Sequence, residues 1–234
     1  MPWATWSLVA LNVLAFLAML AATPTEIEHW FTTFGLVAAD QHWYQFLTSS
    51  FVHAGWMHLI GNMLFLIVFG DNVEDVLGPA GLLLLYFVGG YAGDLMFVAA
   101  NPTMTMPTVG ASGCISALAG AYAVMFFNSI IGVRVLFFVF TMHTFHLRAF
   151  WVLLFWFGAD VYNTAASHGV MAAEGGVNFV AHGAGFVVGF LVGIFATIYG
   201  ATRRYETLAE GHAWFGYWPT SLENKPRARR VKRL

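Results

Sequence analysis

Long apolar stretches separated by short polar breaks run along most of the chain, and their lengths are those of membrane-crossing helices. A hydrocarbon core about 30 Å thick takes about 20 apolar residues per helical crossing. On that measure the pattern predicts spans at about 5–22, 56–75, 80–99, 112–130, 148–166 and 178–199, each boundary good to about two to four residues. The first run, Ser7 to Ala22, has no Lys or Arg before it and no small-x-small cleavage site after it, so it reads as a span and not as a secretory signal. The segment Ile131 to Phe145 is also apolar, but it is short, it carries Arg134 and Arg148 follows it; it reads as an interfacial or loop segment on the cytoplasmic side. The fold class expected is therefore all-α: a polytopic six-helix bundle over residues 1–202, followed by a basic tail over 203–234.

Two polar regions are rich in aromatic rings. The connection between the first two spans, about 23–55, holds Trp30, Phe31, Phe34, Trp43, Tyr44, Phe46 and Phe51. Aromatic rings settle at headgroup depth, so this loop is expected to lie half sunk in the outer interface. The tail holds Trp214, Phe215, Tyr217 and Trp218 before its basic run, which suits either an anionic leaflet surface or a solvated tail that only fixes orientation. No internal repeat is visible, which weakens a transporter built from inverted repeats.

Composition agrees with the pattern, since 59% of residues are hydrophobic and 9% charged, against about 25% charged in soluble domains. Charge adds a direction. None of the 10 Lys and Arg residues precedes Arg134, and all but Arg134 and Arg148 lie between Arg203 and Arg233. Positive charge stays on the cytoplasmic side, so the C-terminus is expected there, and an even number of spans puts the N-terminus there too. The single cysteine, Cys114, excludes an intramolecular disulfide and a Cys-rich metal cluster.

Polar groups within apolar spans mark function, because hydrocarbon offers them no partner. Three clusters stand out. His58 and Asn62, four apart, share one helix face. Gly110-Ala111-Ser112-Gly113 opens the fourth span, and Ala181-His182-Gly183 lies near the start of the sixth. A serine hydroxyl attacks a carbonyl only when a base takes its proton, and neutral imidazole does so near pH 7. Ser112 and His182 are the available pair. A tetrahedral intermediate also needs donors aimed at its oxyanion, which Asn62, His58 and the backbone N–H groups of Ser112 and Gly113 could supply at a helix start. Such a pair needs closely packed helices, and Gly185 and Gly189 share the face of His182. Each cluster also has a plain packing reading: Gly113, Ala117 and Ala121 form a small-residue stripe of their own, and one reading does not exclude the other.

Taken together, His53-Ala54-Gly55-Trp56-Met57-His58-Leu59-Ile60-Gly61-Asn62, the GxSG at Gly110 to Gly113 and Ala181-His182-Gly183-Ala184-Gly185, in that order, make the chain resemble the rhomboid family of intramembrane serine proteases. The resemblance implies a six-helix serine endopeptidase with a Ser-His dyad, no cofactor or metal, and an oxyanion site of the His58 and Asn62 type. It implies single-pass transmembrane proteins as substrates, membrane lipid as surroundings and no nucleic-acid partner; it does not assign an oligomeric state. The active site would open to the non-cytoplasmic side. Where the family often carries Trp-Arg in the first long loop, this chain has Tyr44-Gln45, which puts Arg-dependent anchoring of that loop in question.

Other chemistries fit less well. A thiolate at Cys114 would face away from His182 if Ser112 faces it, two residues turning a helix by about 200°. His53 and His58 lack the same-face spacing of HExxH, and His53 reads as a residue anchoring the loop. Asp94 and Asp160 lack the GxGD pattern of intramembrane aspartyl proteases and lie toward span ends. A rhomboid-like protein that binds transmembrane helices without cutting them is the main alternative, and retention of both Ser112 and His182 speaks against it.

Overall fold

The computed structural model describes residues 2–137, 140–166 and 178–202. The expected basic tail, Glu174 and the rest of the connection before the last helix lie outside the described residues. Seven α-helices stand among those described: α1 (Trp3–Leu20), α2 (Pro24–Phe34), α3 (Gln45–Thr48), α4 (Trp56–Ala100), α5 (Ser112–Met125), α6 (Ala149–Ala166) and α7 (Phe179–Ile198). Two strands, β1 (Ile130–Phe137) and β2 (Phe140–Arg148), separate α5 from α6.

The chain is thus mostly helical, but two details depart from six separate rods. First, α2 and α3 form inside the aromatic loop. Pro24 suits the first helical turn because its missing N–H would have had no partner there, and Thr23 donates its N–H and hydroxyl to Glu26, both at 2.7 Å. Ile27, Trp30, Phe31 and Phe34 pack against the core, so α2 lies along the bundle. Second, the expected spans at 56–75 and 80–99 run as the single 45-residue α4. A helix of that length would reach about 67 Å, more than twice a hydrocarbon core. Gly78-Pro79 interrupts it: Gly78 takes φ 73, ψ 168, and Pro79 has no N–H to continue the ladder. Among the described residues α1, α4 and α7 are long and apolar enough to cross a membrane.

The exterior is the reverse of a soluble protein's. Leu14, Leu64, Leu84, Phe155, Leu191 and Phe195 are exposed, whereas Thr5, Asn12, Asn62, Asn72 and Glu74 are buried. An apolar skin around polar groups that bond inward is the arrangement hydrocarbon requires. Glu74, on the turnward end of the first half of α4, shows the principle. Its carboxyl oxygens accept the N–H of Ala4 (3.0 Å), the N–H of Thr5 (2.8 Å) and the Thr5 hydroxyl (2.8 Å), satisfying the open donors at the start of α1.

At the centre lies α5, with every residue from Cys114 to Ala123 buried. It ends at Met125, five residues before the boundary predicted, where Phe126 to Ser129 turn into β1. The following segment, read from the sequence as an interfacial or loop segment within an all-α fold, is a strand pair: β1 and β2 pair antiparallel from Ile130↔Arg148 to Phe137↔Phe140, with an irregularity at Val135/Leu136. The physical reason is composition. Ile130, Ile131, Val133, Val135, Thr141 and Thr144 are β-branched, and such residues fit a pleated surface better than a helix.

Candidate active site

Two elements present the central pair. Ser112 is the first residue of α5, and the turn before it depends on Gly110, whose φ of 115 is open to glycine and strained for other residues. Space matters there as well, because a Cβ at 110 would lie 2.6 Å from His58 Cε1 and Nε2 and 3.6 Å from Asn62 Nδ2. The Gly110 N–H donates to the Ser49 carbonyl at 2.9 Å, tying the turn to the first loop. His182 is buried in the first turns of α7, where its ring lies 6.3 Å from Trp156 and 6.5 Å from Phe179.

Glycine sets how near α7 comes to α5. A Cβ at Gly185 would collide with the carbonyl oxygen of Gly113, and one at Gly189 with that of Ala117. The same applies in reverse at Gly120, which faces the Phe186 carbonyl. Of the three glycines predicted to pack near the site, Gly185 and Gly189 therefore lie in the α5–α7 contact, whereas Gly110 lies in the turn before α5 against His58. Sequence reasoning missed the matching stripe on α4, where Gly89 lies against Ala117, Gly90 against Cys114 and Gly93 against Ala181; the four-residue spacing of Gly89 and Gly93 was its available signal.

These approaches bring four of the predicted residues to one cavity. A space of about 190 Å³ is lined by Ser112, His182, His58 and Asn62 together with Met57, Gly61, Phe65, Ile115 and Trp156. His58 Nδ1 accepts the Ala54 N–H at 3.4 Å, which leaves the proton of the neutral ring on Nε2, the atom lying against Gly110. Asn62 is buried, and its Nδ2 has no hydrogen-bond acceptor among the described residues. A buried amide donor without an acceptor costs about 1–3 kcal/mol, and this one lines the cavity that Ser112 also lines. Gly113 lines a different space. A cavity of about 20 Å³ on the other flank of Ser112 is bounded by Gly113, Ser49, Ser50, Asp94, Thr108, Cys114 and Asn178.

The remaining candidates fall around this centre. Cys114 is buried on the second flank, its Sγ 3.3 Å from the Ser50 hydroxyl. Asp94 accepts from the Ser49 hydroxyl at 3.4 Å and faces the same small cavity. His53 is fully buried, with Nδ1 3.4 Å from the Phe51 carbonyl and its ring edge-on to His58 at 5.1 Å. Burial, reinforced by the neighbouring His58, pushes the His53 imidazole down to about 4 from its usual 6.5, so it is neutral at physiological pH. Tyr44-Gln45 proves to be an anchor without charge: Gln45 is buried, donates to the carbonyls of Thr32 (3.2 Å) and Thr33 (3.4 Å), and accepts the His42 N–H at 3.0 Å. No group of three or more metal-ligating side chains occurs among the described residues.

The family description "Rhomboid domain" matches residues 40–198. The chain is 31% identical over 155 residues to Rhomboid-related protein 2 of Mus musculus, covering 66% of this chain and 48% of that protein. It is 42% identical over 76 residues to Rhomboid-like protein 11, chloroplastic, of Arabidopsis thaliana, covering 32% and 27%. It is 30% identical over 124 residues to Rhomboid protease GluP of Bacillus subtilis, covering 51% and 24%. The matched stretches thus span about half or less of these relatives' own lengths.

Proposed function

Because the chain belongs to the rhomboid family, we infer that this integral membrane protein is an intramembrane serine endopeptidase that cuts single-pass transmembrane proteins in or near their span. The observation that carries the reading is the cavity shared by Ser112, His182, His58 and Asn62, lined by an amide donor that no described residue accepts.

In this reading His182 takes the proton of Ser112 as its Oγ attacks the scissile carbonyl. The oxyanion that forms is met by Asn62 Nδ2, by His58 Nε2–H and by the N–H of Ser112, at the positive end of the α5 dipole; Gly113, expected from the sequence to join them, lines the opposite flank. Collapse expels the amine, which leaves with the proton held by His182, and the acyl-enzyme remains on Ser112. Water then attacks the ester, giving a proton to His182; collapse breaks the acyl–Oγ bond, releases the carboxylic acid and returns that proton to Ser112 Oγ. Every step runs on side chains and backbone of this chain, with no cofactor.

Water must reach the site, and the length of α5 supports that. Its 14 residues rise about 21 Å, short of a core of about 30 Å, so one end lies below the membrane surface. The reading makes that the Ser112 end, opening to the non-cytoplasmic side in a bundle of six crossings, α4 counting twice. The charge bias puts both termini, Arg134 and Arg148 on the cytoplasmic side. The test is cleavage, in detergent, of a transmembrane substrate with a weakened helix. Native protein should cut it, and Ser112→Ala protein should show essentially no cleavage. Equal cleavage by the two would remove the mechanism, and absence of cleavage together with retained binding of the substrate would favour a helix-binding role.

A further inference from the structure

Three parts of the chain meet at Thr108. Its backbone bridges to Leu36 of the first loop, the N–H of each donating to the carbonyl of the other at 2.9 Å. Its hydroxyl oxygen accepts from Asn178 Nδ2 at 3.1 Å. Asn178 is the residue before α7: its Oδ1 accepts the N–H of Ala181 at 3.1 Å, and its backbone carbonyl accepts the N–H of His182 at 3.1 Å. Four residues beyond Thr108, α5 begins at Ser112.

One amide side chain therefore joins the turn that delivers the hydroxyl to the helix start that delivers the imidazole. This link supplies something the glycine contacts do not. Where Gly185 and Gly189 meet the backbone of α5, close approach fixes the separation of the helices, but smooth surfaces leave sliding and rotation weakly defined. A directional hydrogen bond at the ends of both elements fixes the remaining register. The chemistry also demands this residue type. The cap needs an acceptor and Thr108 is met by a donor, and Asn carries both on a side chain short enough for a helix cap. Neither Asn178 nor Thr108 lines the cavity shared by Ser112 and His182; both bound the small cavity on the opposite flank.

We propose that Asn178 is a positioning residue which, through Thr108, holds Ser112 and His182 in register for proton transfer. The proposal rests on the serine-peptidase reading. It also joins the first loop to the dyad, since Thr108 is held by Leu36 on its other side.

The test uses the full chain in detergent and two readouts: steady-state cleavage of the transmembrane substrate and the rate at which a fluorophosphonate labels Ser112. Thr108→Val removes the link and leaves the cap. Asn178→Ser keeps a capping oxygen but falls short of Thr108. Each is expected to lower kcat and the labelling rate about ten- to a hundredfold with KM unchanged, as small misplacements of reacting groups do. The double variant should be no worse than the poorer single one, and Thr108→Ser should restore most of the rate. Thermal unfolding selects the folded variants, and either single variant suffices to decide. Native kcat and labelling in folded Thr108→Val, additive losses in the double variant, or a change confined to KM would overturn the proposal. Ser112→Ala runs alongside: if it cleaves, the peptidase reading itself fails, whereas an inert Ser112→Ala beside a fully active Thr108→Val sinks the register link alone.

Discussion

Asn62 holds a buried amide donor that no described residue accepts, and its energetic sense depends on when an acceptor appears. If the acceptor is an oxyanion, the donor is worth more in the transition state than in the ground state. Asn62→Ala is then expected to lower kcat about 10²- to 10³-fold, equivalent to about 2.7–4 kcal/mol, with residual cleavage still measurable above a Ser112→Ala background. A loss of thermal stability with kcat intact would make the side chain structural instead. Ser112, His182, His58 and Asn62 were legible in the sequence because each is a polar group in or at the edge of an apolar run. Thr108 and Asn178 were not. They lie in polar connections where such residues are ordinary, and only folding brings together positions separated by 70 residues.

Between elements, separation is set by what is missing from side chains. Gly189 meets the Ala117 carbonyl so closely that even a methyl group forces α7 outward. Gly189→Ala is therefore expected to destabilise the bundle by about 1–3 kcal/mol, the usual range for overpacking. Because the imidazole moves with its helix, it should also lower kcat by more than the loss of folded protein explains. Measuring activity per fluorophosphonate-reactive molecule separates the two effects; a full rate per reactive molecule would show that the helix moves without disturbing the pair. Gly185 and Gly189 could be read from their four-residue spacing. The break in α4 also left a signal, since Gly78-Pro79 stands between the two spans expected there. The β1–β2 hairpin left only its β-branched composition, because an apolar run of that length has no period that separates a strand pair from a loop sunk in an interface.

For the molecule as a whole, acid should act through His53. The unfolded chain protonates this imidazole near 6.5 and the folded one only near 4, so stability is intact above about pH 6.5 and falls as pH drops toward 4. The contribution is about 3 kcal/mol at most. Melting temperatures in detergent between pH 7 and 4 should fall less steeply for His53→Gln than for native protein, and parallel curves would assign acid sensitivity to other groups. The overall class was legible because span length and charge bias are properties of the bilayer as solvent. The path of the first loop was not, because it rests on Gln45 reaching two carbonyls at the end of α2, which no pattern of types announces.

The bonds from Glu74 to Ala4 and Thr5 carry a consequence for biogenesis. α1 leaves the ribosome ahead of α4 and acquires its stabilising partner only after some seventy further residues have been made. Until then the leading amides of α1 lack this partner, so its docking waits for the first half of α4 and needs nothing made after Glu74.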